Sequence, residues 1–191
     1  KIIPKSIGKL QNLEAINLEG TNVTELPVEI LKLRKLRFLW LGGWGNCSNE
    51  YAIWGCKCPL GIGKLICMEN LFRIEADSDK IVREIGKLTQ LRGLAITELR
   101  REDGKELLSS LLRLTNLRQL GISCIKEDET LDLQHSVFSK HGFLTRLMLK
   151  GRLERVPQWV TSLQSLRILQ LDNSRLREDE NVIGSLGHLP N

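Results

Sequence analysis

The chain has 191 residues, 41% of them apolar and 27% charged, a balance that fits one globular domain with a sizeable core and excludes a disordered tail. Its net charge of +5, from 28 basic and 23 acidic residues, is too mild and too interleaved to name nucleic acid as a partner. No run approaches the roughly 18 consecutive apolar residues of a membrane helix, so no membrane span is expected, and the opening KIIPKSIGKL lacks the apolar stretch of a signal peptide.

Leucine occurs 36 times while aromatic residues make up only 5%, which suggests one packing unit used again and again. The first unit opens at Pro4, three residues before Ile7. Ile7, Leu10 and Leu13 follow at steps of three, and the rhythm then shortens to Ile16 and Leu18. Steps of three run down the inner side of a turn or short helix, whereas a step of two is a strand with both side chains on one face. Pro27 opens the same passage again, through Ile30, Leu33, Leu36, Leu39 and Leu41. A stretch rich in Gly and Cys, GGWGNCSNEYAIWGCKCP (42–59), reads as an insertion loop. The pattern L-x-x-L-x-L then fits at Leu71-Ile74-Ala76, Leu91-Leu94-Ile96, Leu117-Leu120-Ile122, Leu144-Leu147-Leu149 and Leu166-Leu169-Leu171. Longer convex helices are expected at 79–87 and 104–113, and Pro157 precedes Val160 as Pro4 precedes Ile7. NVIGSLGHLPN restarts the pattern at Ile183 and Leu186, and neither end carries a polar cap. A single domain over 1–191, truncated at both ends, is therefore expected.

Seven matches, with last residues 20 to 35 positions apart, carry the leucine-rich repeat signature. The expected fold is an α/β leucine-rich-repeat solenoid: a curved parallel sheet of about seven short strands, with helices and loops on the convex side.

Two features resemble a particular family. The element I-G-K-L recurs at 7–10, 62–65 and 85–88, and an L-x-x-T-x-V-x-x-L-P run extends from Leu18 to Pro27. Both are similar to the repeats of plant intracellular nucleotide-binding disease-resistance receptors of the coiled-coil class. The N-x-L-x-G-x-I-P run typical of extracellular plant receptors is missing. The resemblance implies an immune receptor switched by ATP and ADP, whose repeats sense pathogen effectors, directly or through a host protein, and restrain the nucleotide-binding domain in cis. The switch itself is not expected here. Gly61-Ile62-Gly63-Lys64-Leu65 has Leu where a P-loop needs a magnesium-binding hydroxyl, and it repeats as ordinary I-G-K-L. The alternatives are an extracellular ectodomain, favoured by the glycosylation-like triplets at Asn22 and Asn46, and a scaffold with no specific partner.

Bound chemistry finds little support. Cys47, Cys56 and Cys58 fall short of the four-ligand C-x(2–4)-C pairs of structural zinc, and His135, His141 and His188 lie in distant repeats. No cofactor, metal or enzymatic activity is expected, since no His recurs beside Ser123 or Cys124. Five cysteines, an odd and scattered set, point to a reducing, cytoplasmic setting.

The informative constellation lies on the strands. With the first residue of each match as position one, positions four and six face the core, while three and five face outward on the concave side. Position two carries Arg37, Arg92, Arg118 and Arg167, and position three carries Arg73 and Arg146, which predicts an arginine column across the sheet. Acidic residues gather after the strands, among them Asp77, Glu98, Glu127 and Glu178. Solvated surface, with the arginine stems covering apolar side chains, is the plainer reading of such a column, while the mutual repulsion of like charges in a row speaks mildly for an acidic protein partner, in trans or elsewhere in the same polypeptide. Phe38 and Trp40 occupy positions three and five of the second strand, and Trp44 and Trp54 lie in the insertion behind them. Aromatic residues beside arginine are the usual hot-spot composition, so these complete the expected partner-binding set.

Overall fold

The computed structural model describes residues 2–44, 53–124, 130–131, 133, 142–153, 155–174 and 176. Seven parallel strands form one sheet in chain order: β1 (Ala15–Asn17), β2 (Phe38–Trp40), β5 (Asn70–Glu75), β6 (Gly93–Leu99), β7 (Gln119–Cys124), β8 (Arg146–Lys150) and β9 (Ile168–Asp172). A separate antiparallel hairpin, β3 (Gly43–Trp44) and β4 (Ile53–Trp54), rises from the insertion. The fold is the expected leucine-rich-repeat arrangement of a curved, unclosed sheet.

One hydrogen bond explains the steps of three. In six repeats the residue at position one donates its N–H to the carbonyl three residues before it: Leu13 to Leu10, Leu36 to Leu33, Met68 to Leu65, Leu91 to Leu88, Leu117 to Leu114 and Leu166 to Leu163. Each such turn aims an apolar side chain inward before the strand begins. The convex segments are correspondingly tight. Three are five-residue 3-10 helices, Lys5–Lys9, Val28–Lys32 and Gln158–Ser162. Pro4, Pro27 and Pro157 stand just before these helices, and their carbonyls accept from Ile7, Ile30 and Val160 at 3.0, 3.0 and 2.9 Å. That contact is the three-residue spacing seen in the sequence. Where the sequence shows helical periodicity, true α-helices form: α1 (Asp79–Ile85) and α2 (Gly104–Leu111).

The core is a single file of stacked apolar layers, from Val23 and Leu26 through Leu39, Leu71, Leu94, Leu120 and Leu147 to Leu166. Leu39 pairs in register with Leu71, Leu71 with Leu94, Leu94 with Leu120, and Leu120 with Leu147.

That register corrects the third repeat. Leu71 sits at position four, not one, and position one is Met68. The chain then bulges between Phe72 and Ile74, where Arg73 takes φ 61°. The insertion boundary also moves. Cys56, Lys57 and Cys58 are part of the repeat rather than the loop: the Lys57 N–H donates to Thr24, the Lys57 carbonyl accepts from Leu26, and the Cys56 N–H donates to Arg73. Cys58-Pro59 thereby takes the place that Leu26-Pro27 holds one repeat earlier.

Candidate interaction face

The backbone itself traces the position-two column. The Arg37 N–H donates to the Glu14 carbonyl, Glu69 to Arg37, Arg92 to Glu69, Arg118 to Arg92, Thr145 to Arg118 and Arg167 to Thr145, all between 2.7 and 2.9 Å. The column is therefore Glu14, Arg37, Glu69, Arg92, Arg118, Thr145, Arg167. Arg37, Arg92, Arg118 and Arg167 stand in it as expected, and Arg146 follows at position three, exposed at the start of β8. Arg73 does not. Because the third repeat shifts by three residues, Glu69 holds position two there and Arg73 falls in the bulge.

The shift changes the electrostatics. Arg37 Nε donates to Glu69 Oε1 at 2.8 Å and Nη1 to Glu14 Oε2 at 3.2 Å, while Arg92 Nε lies 3.7 Å from Glu69 Oε2. The hydrogen bond to Glu69, then that to Glu14, raises the Arg37 pKa above its ordinary value. Carboxylate and guanidinium thus alternate, and the mutual repulsion expected of a like-charged row is absent from this end. Beyond Arg92 the pattern stops. Arg118, Arg146 and Arg167 are exposed and have no acidic side chain at ion-pair distance among the described residues.

Arg73 has a structural task. Its side chain is only 11% exposed, with Nη1 2.8 Å from Glu19 Oε1 and 3.5 Å from the Leu41 carbonyl. It clamps the third repeat to the first across the base of the insertion. Reversing its charge would test folding rather than docking.

The aromatic set divides in the same way. Phe38 and Trp40 project on the concave side, half-buried, with rings stacked 5.7 Å apart at 9°, and the Arg37 guanidinium sits 5.1 Å over the Phe38 ring. Trp54 instead packs within the hairpin: a Cβ at its cross-strand partner Gly43 would lie 2.5 Å from the Trp54 ring. The Trp44 backbone pairs with Ile53, and its side chain lies outside the described residues, as do Cys47, Glu127, Glu178 and the three histidines.

Between the hairpin and β5–β8 the concave face sinks into a hollow of about 230 Å³, lined by Trp40, Ile53, Phe72, Ala95, Gly121 and Met148 among others. Sequence reasoning missed it, although the position-five residues Trp40, Phe72, Ala95, Gly121 and Met148 show bulk giving way to small residues and returning.

The other sequence candidates resolve into framework. Gly61 (φ 100°) leads into the 3-10 turn Ile62–Lys64, and the Gly63 N–H that a phosphate would need donates to Glu84 Oε2 at 3.1 Å. Burial pushes the Cys56 thiol up to about 12 and holds Cys58 well above the usual thiol range, so both stay protonated. Among the described residues, no group of three or more His, Cys, Asp or Glu could hold a metal ion, and no helix is long and apolar enough to cross a membrane.

Comparison with known proteins agrees with this geometry. A family model described as "Leucine-rich repeat region" matches residues 1–191. The Arabidopsis thaliana disease resistance protein RPM1 is 34% identical over 158 residues, which is 82% of this chain and 16% of that protein. Disease resistance protein Pik-2 of Oryza sativa subsp. japonica is 28% identical over 212 residues, 93% of this chain and 20% of that one. The chain thus spans a fifth or less of these relatives' length. Among solved structures, an internalin of Listeria monocytogenes superposes with a TM-score of 0.65 at 17% identity, over 98% of this chain and 56% of the other. A leucine-rich repeat protein of Leptospira interrogans gives 0.59 at 23%, over 100% and 51%. These structures share the fold alone. With a parallel seven-strand sheet, one hydrogen-bonded turn in repeat after repeat and a family match over every residue, the chain belongs to the leucine-rich repeat family, in a form similar to plant disease resistance proteins.

Proposed function

We propose that this chain is the protein-recognition region of a cytoplasmic plant immune receptor and that it acts by binding, without catalysis. Its likeness to disease resistance proteins over most of its length supports the setting. The observation that carries the mode of action is the uncompensated trio Arg118, Arg146 and Arg167 on a rigid concave sheet. Three exposed guanidiniums at successive strand starts offer directed, bidentate donors to carboxylates. Rim charges of this kind speed encounter and select partners by sign. The acidic partner is either an effector or host protein in trans, or a surface of the receptor's own nucleotide-binding portion, held in the resting state.

The test is charge reversal in the full receptor. With Arg118, Arg146 and Arg167 changed to Glu, leaf expression is expected to give spontaneous cell death or lost recognition at unchanged protein level. Wild-type resting activity together with wild-type recognition would overturn the reading. A structural scaffold without a partner predicts that second result. An extracellular home predicts glycan on Asn22, which is exposed.

A further inference from the structure

We propose that the open arginines and the neighbouring hollow together seat an acidic amphipathic helix of a partner protein, with carboxylates on Arg118, Arg146 and Arg167 and an aliphatic side chain in the hollow. This rests on the reading of the concave face as a docking surface and names the segment that the surface fits.

Two rows run side by side across the strands. The apolar row is position five, where Trp40, Phe72, Ala95, Gly121 and Met148 pair in register from β2 to β8. Ala95 and Gly121 are its low point, and the hollow opens over them between Phe72 and Met148. At about 230 Å³ it exceeds the roughly 150 Å³ of an apolar cavity that takes up benzene, so a leucine or isoleucine side chain fits. Among its lining residues the acidic side chain is Glu19, and Arg73 already holds it at 2.8 Å. The charged row lies at the strand starts. Arg118, Arg146 and Arg167 stand on three successive strands, exposed and without an acidic side chain at ion-pair distance among the described residues. On β7 and β8 the rows are three and two residues apart, Arg118 to Gly121 and Arg146 to Met148, or about 7–10 Å along a strand. A helix with its side chains is about 10–12 Å across, so one helix covers both rows. The pitch of the charged row separates a helix from an extended segment. Adjacent strands lie about 4.8 Å apart, which sets the three arginines at about 0, 4.8 and 9.6 Å. Helix residues i, i+4 and i+7 rise through about 0, 6 and 10.5 Å. An extended chain offering one edge at i, i+2 and i+4 spans about 13 Å, and the inward curvature of the sheet widens that mismatch. Carboxylates at i, i+4 and i+7 therefore meet the guanidiniums, while aliphatic residues at i−3 and i+1 lie on the adjoining flank, over the hollow.

The chain has two methionines, Met148 at the hollow and Met68 fully buried in the core, so methyl-13C-methionine labelling gives one reporter and one internal control of folding. The probe is a stapled helical peptide with Glu at i, i+4 and i+7 and Leu at i−3 and i+1. It is expected to shift the Met148 signal and leave Met68 in place. An unstapled peptide of the same charge with Pro at i+2, which breaks the helix, is expected to bind at least about tenfold more weakly. Replacing both leucines of the stapled peptide by serine, which leaves the protein untouched, is expected to cost at least about tenfold as well. Ala95→Leu fills the hollow and should weaken the leucine peptide to the level of the serine peptide. Arg118→Glu with Arg146→Glu is expected to abolish binding of every peptide. A Met148 signal unmoved by the saturating stapled peptide overturns the helix seat. So does equal binding of the stapled and proline-broken peptides, or of the leucine and serine peptides; where that binding still falls on arginine reversal, the acidic docking face stands. Binding untouched by the reversal overturns the docking face as well.

Discussion

The two ends of the concave column are built on one backbone ladder and differ in a single respect. From Glu14 to Arg92 every guanidinium has a carboxylate neighbour, whereas Arg118, Arg146 and Arg167 have none among the described residues. The first end spends its charges on its own repeats; the second holds them open. A column of arginines read from sequence therefore divides into a part paired by Glu14 and Glu69, which ends at Arg92, and an open part beyond it, which is the part proposed to dock a partner. Exposed ion pairs contribute little to stability, about 0.2–1 kcal/mol each, so the consequence of Glu69 lies in binding more than in folding.

The core should not distinguish the two ends. Leu39 and Leu120 occupy the same ladder position at 0% and 1% exposure. Truncating either to Ala is expected to cost about 2–5 kcal/mol by denaturant melts. A loss confined to one of them would mean that the repeats do not form a continuous core.

A smaller effect should separate arginine from arginine. Arg73→Ala removes a mostly buried clamp and leaves Glu19 and the Leu41 carbonyl without their donor, for an expected loss of about 1–3 kcal/mol. Arg146→Ala, on exposed surface, should change stability by less than about 0.5 kcal/mol. Equal losses in the two variants would put Arg146 into the framework as well.

An effect confined to alkaline solution concerns the seam where the insertion rejoins the repeats. Burial lifts the Cys56 thiol from an ordinary 9.0 to about 12. Above pH 9 the unfolded chain releases this proton while the folded chain keeps it, so the unfolded state binds fewer protons. The contribution is fully present below pH 9 and is lost as pH rises toward 12. Melting temperature should fall over that window, and less steeply in Cys56→Ala. Identical slopes would mean that the thiol is solvated.

Much of this was legible in the sequence because leucine spacing and backbone geometry are one fact: the i to i−3 turn and the two-residue strand period both leave apolar marks. The fold, the outward Trp40 and four position-two arginines followed directly. The third repeat misled because Met68 stands where leucine is expected and Leu71-Ile74-Ala76 offers a false match. The corrective signal was present, since I-G-K-L ends three residues before position one in repeats one and four, and Leu65 does so before Met68. The bulge at Arg73 was not legible: a positive φ at arginine leaves no compositional mark. Nor was the hollow, which depends on which side chains neighbour one another across strands far apart in sequence.

The central claim is that the charge proposed to dock a partner resides only beyond Arg92. Calorimetric titration of the chain with a ten-residue glutamate peptide, repeated across salt concentrations, tests it most directly. Arg118→Glu with Arg146→Glu is expected to abolish binding, and Arg37→Glu to leave affinity and salt dependence within about twofold of wild type, because Glu14 and Glu69 already neutralise Arg37. Loss of binding in Arg37→Glu with retention in the double variant would contradict the account.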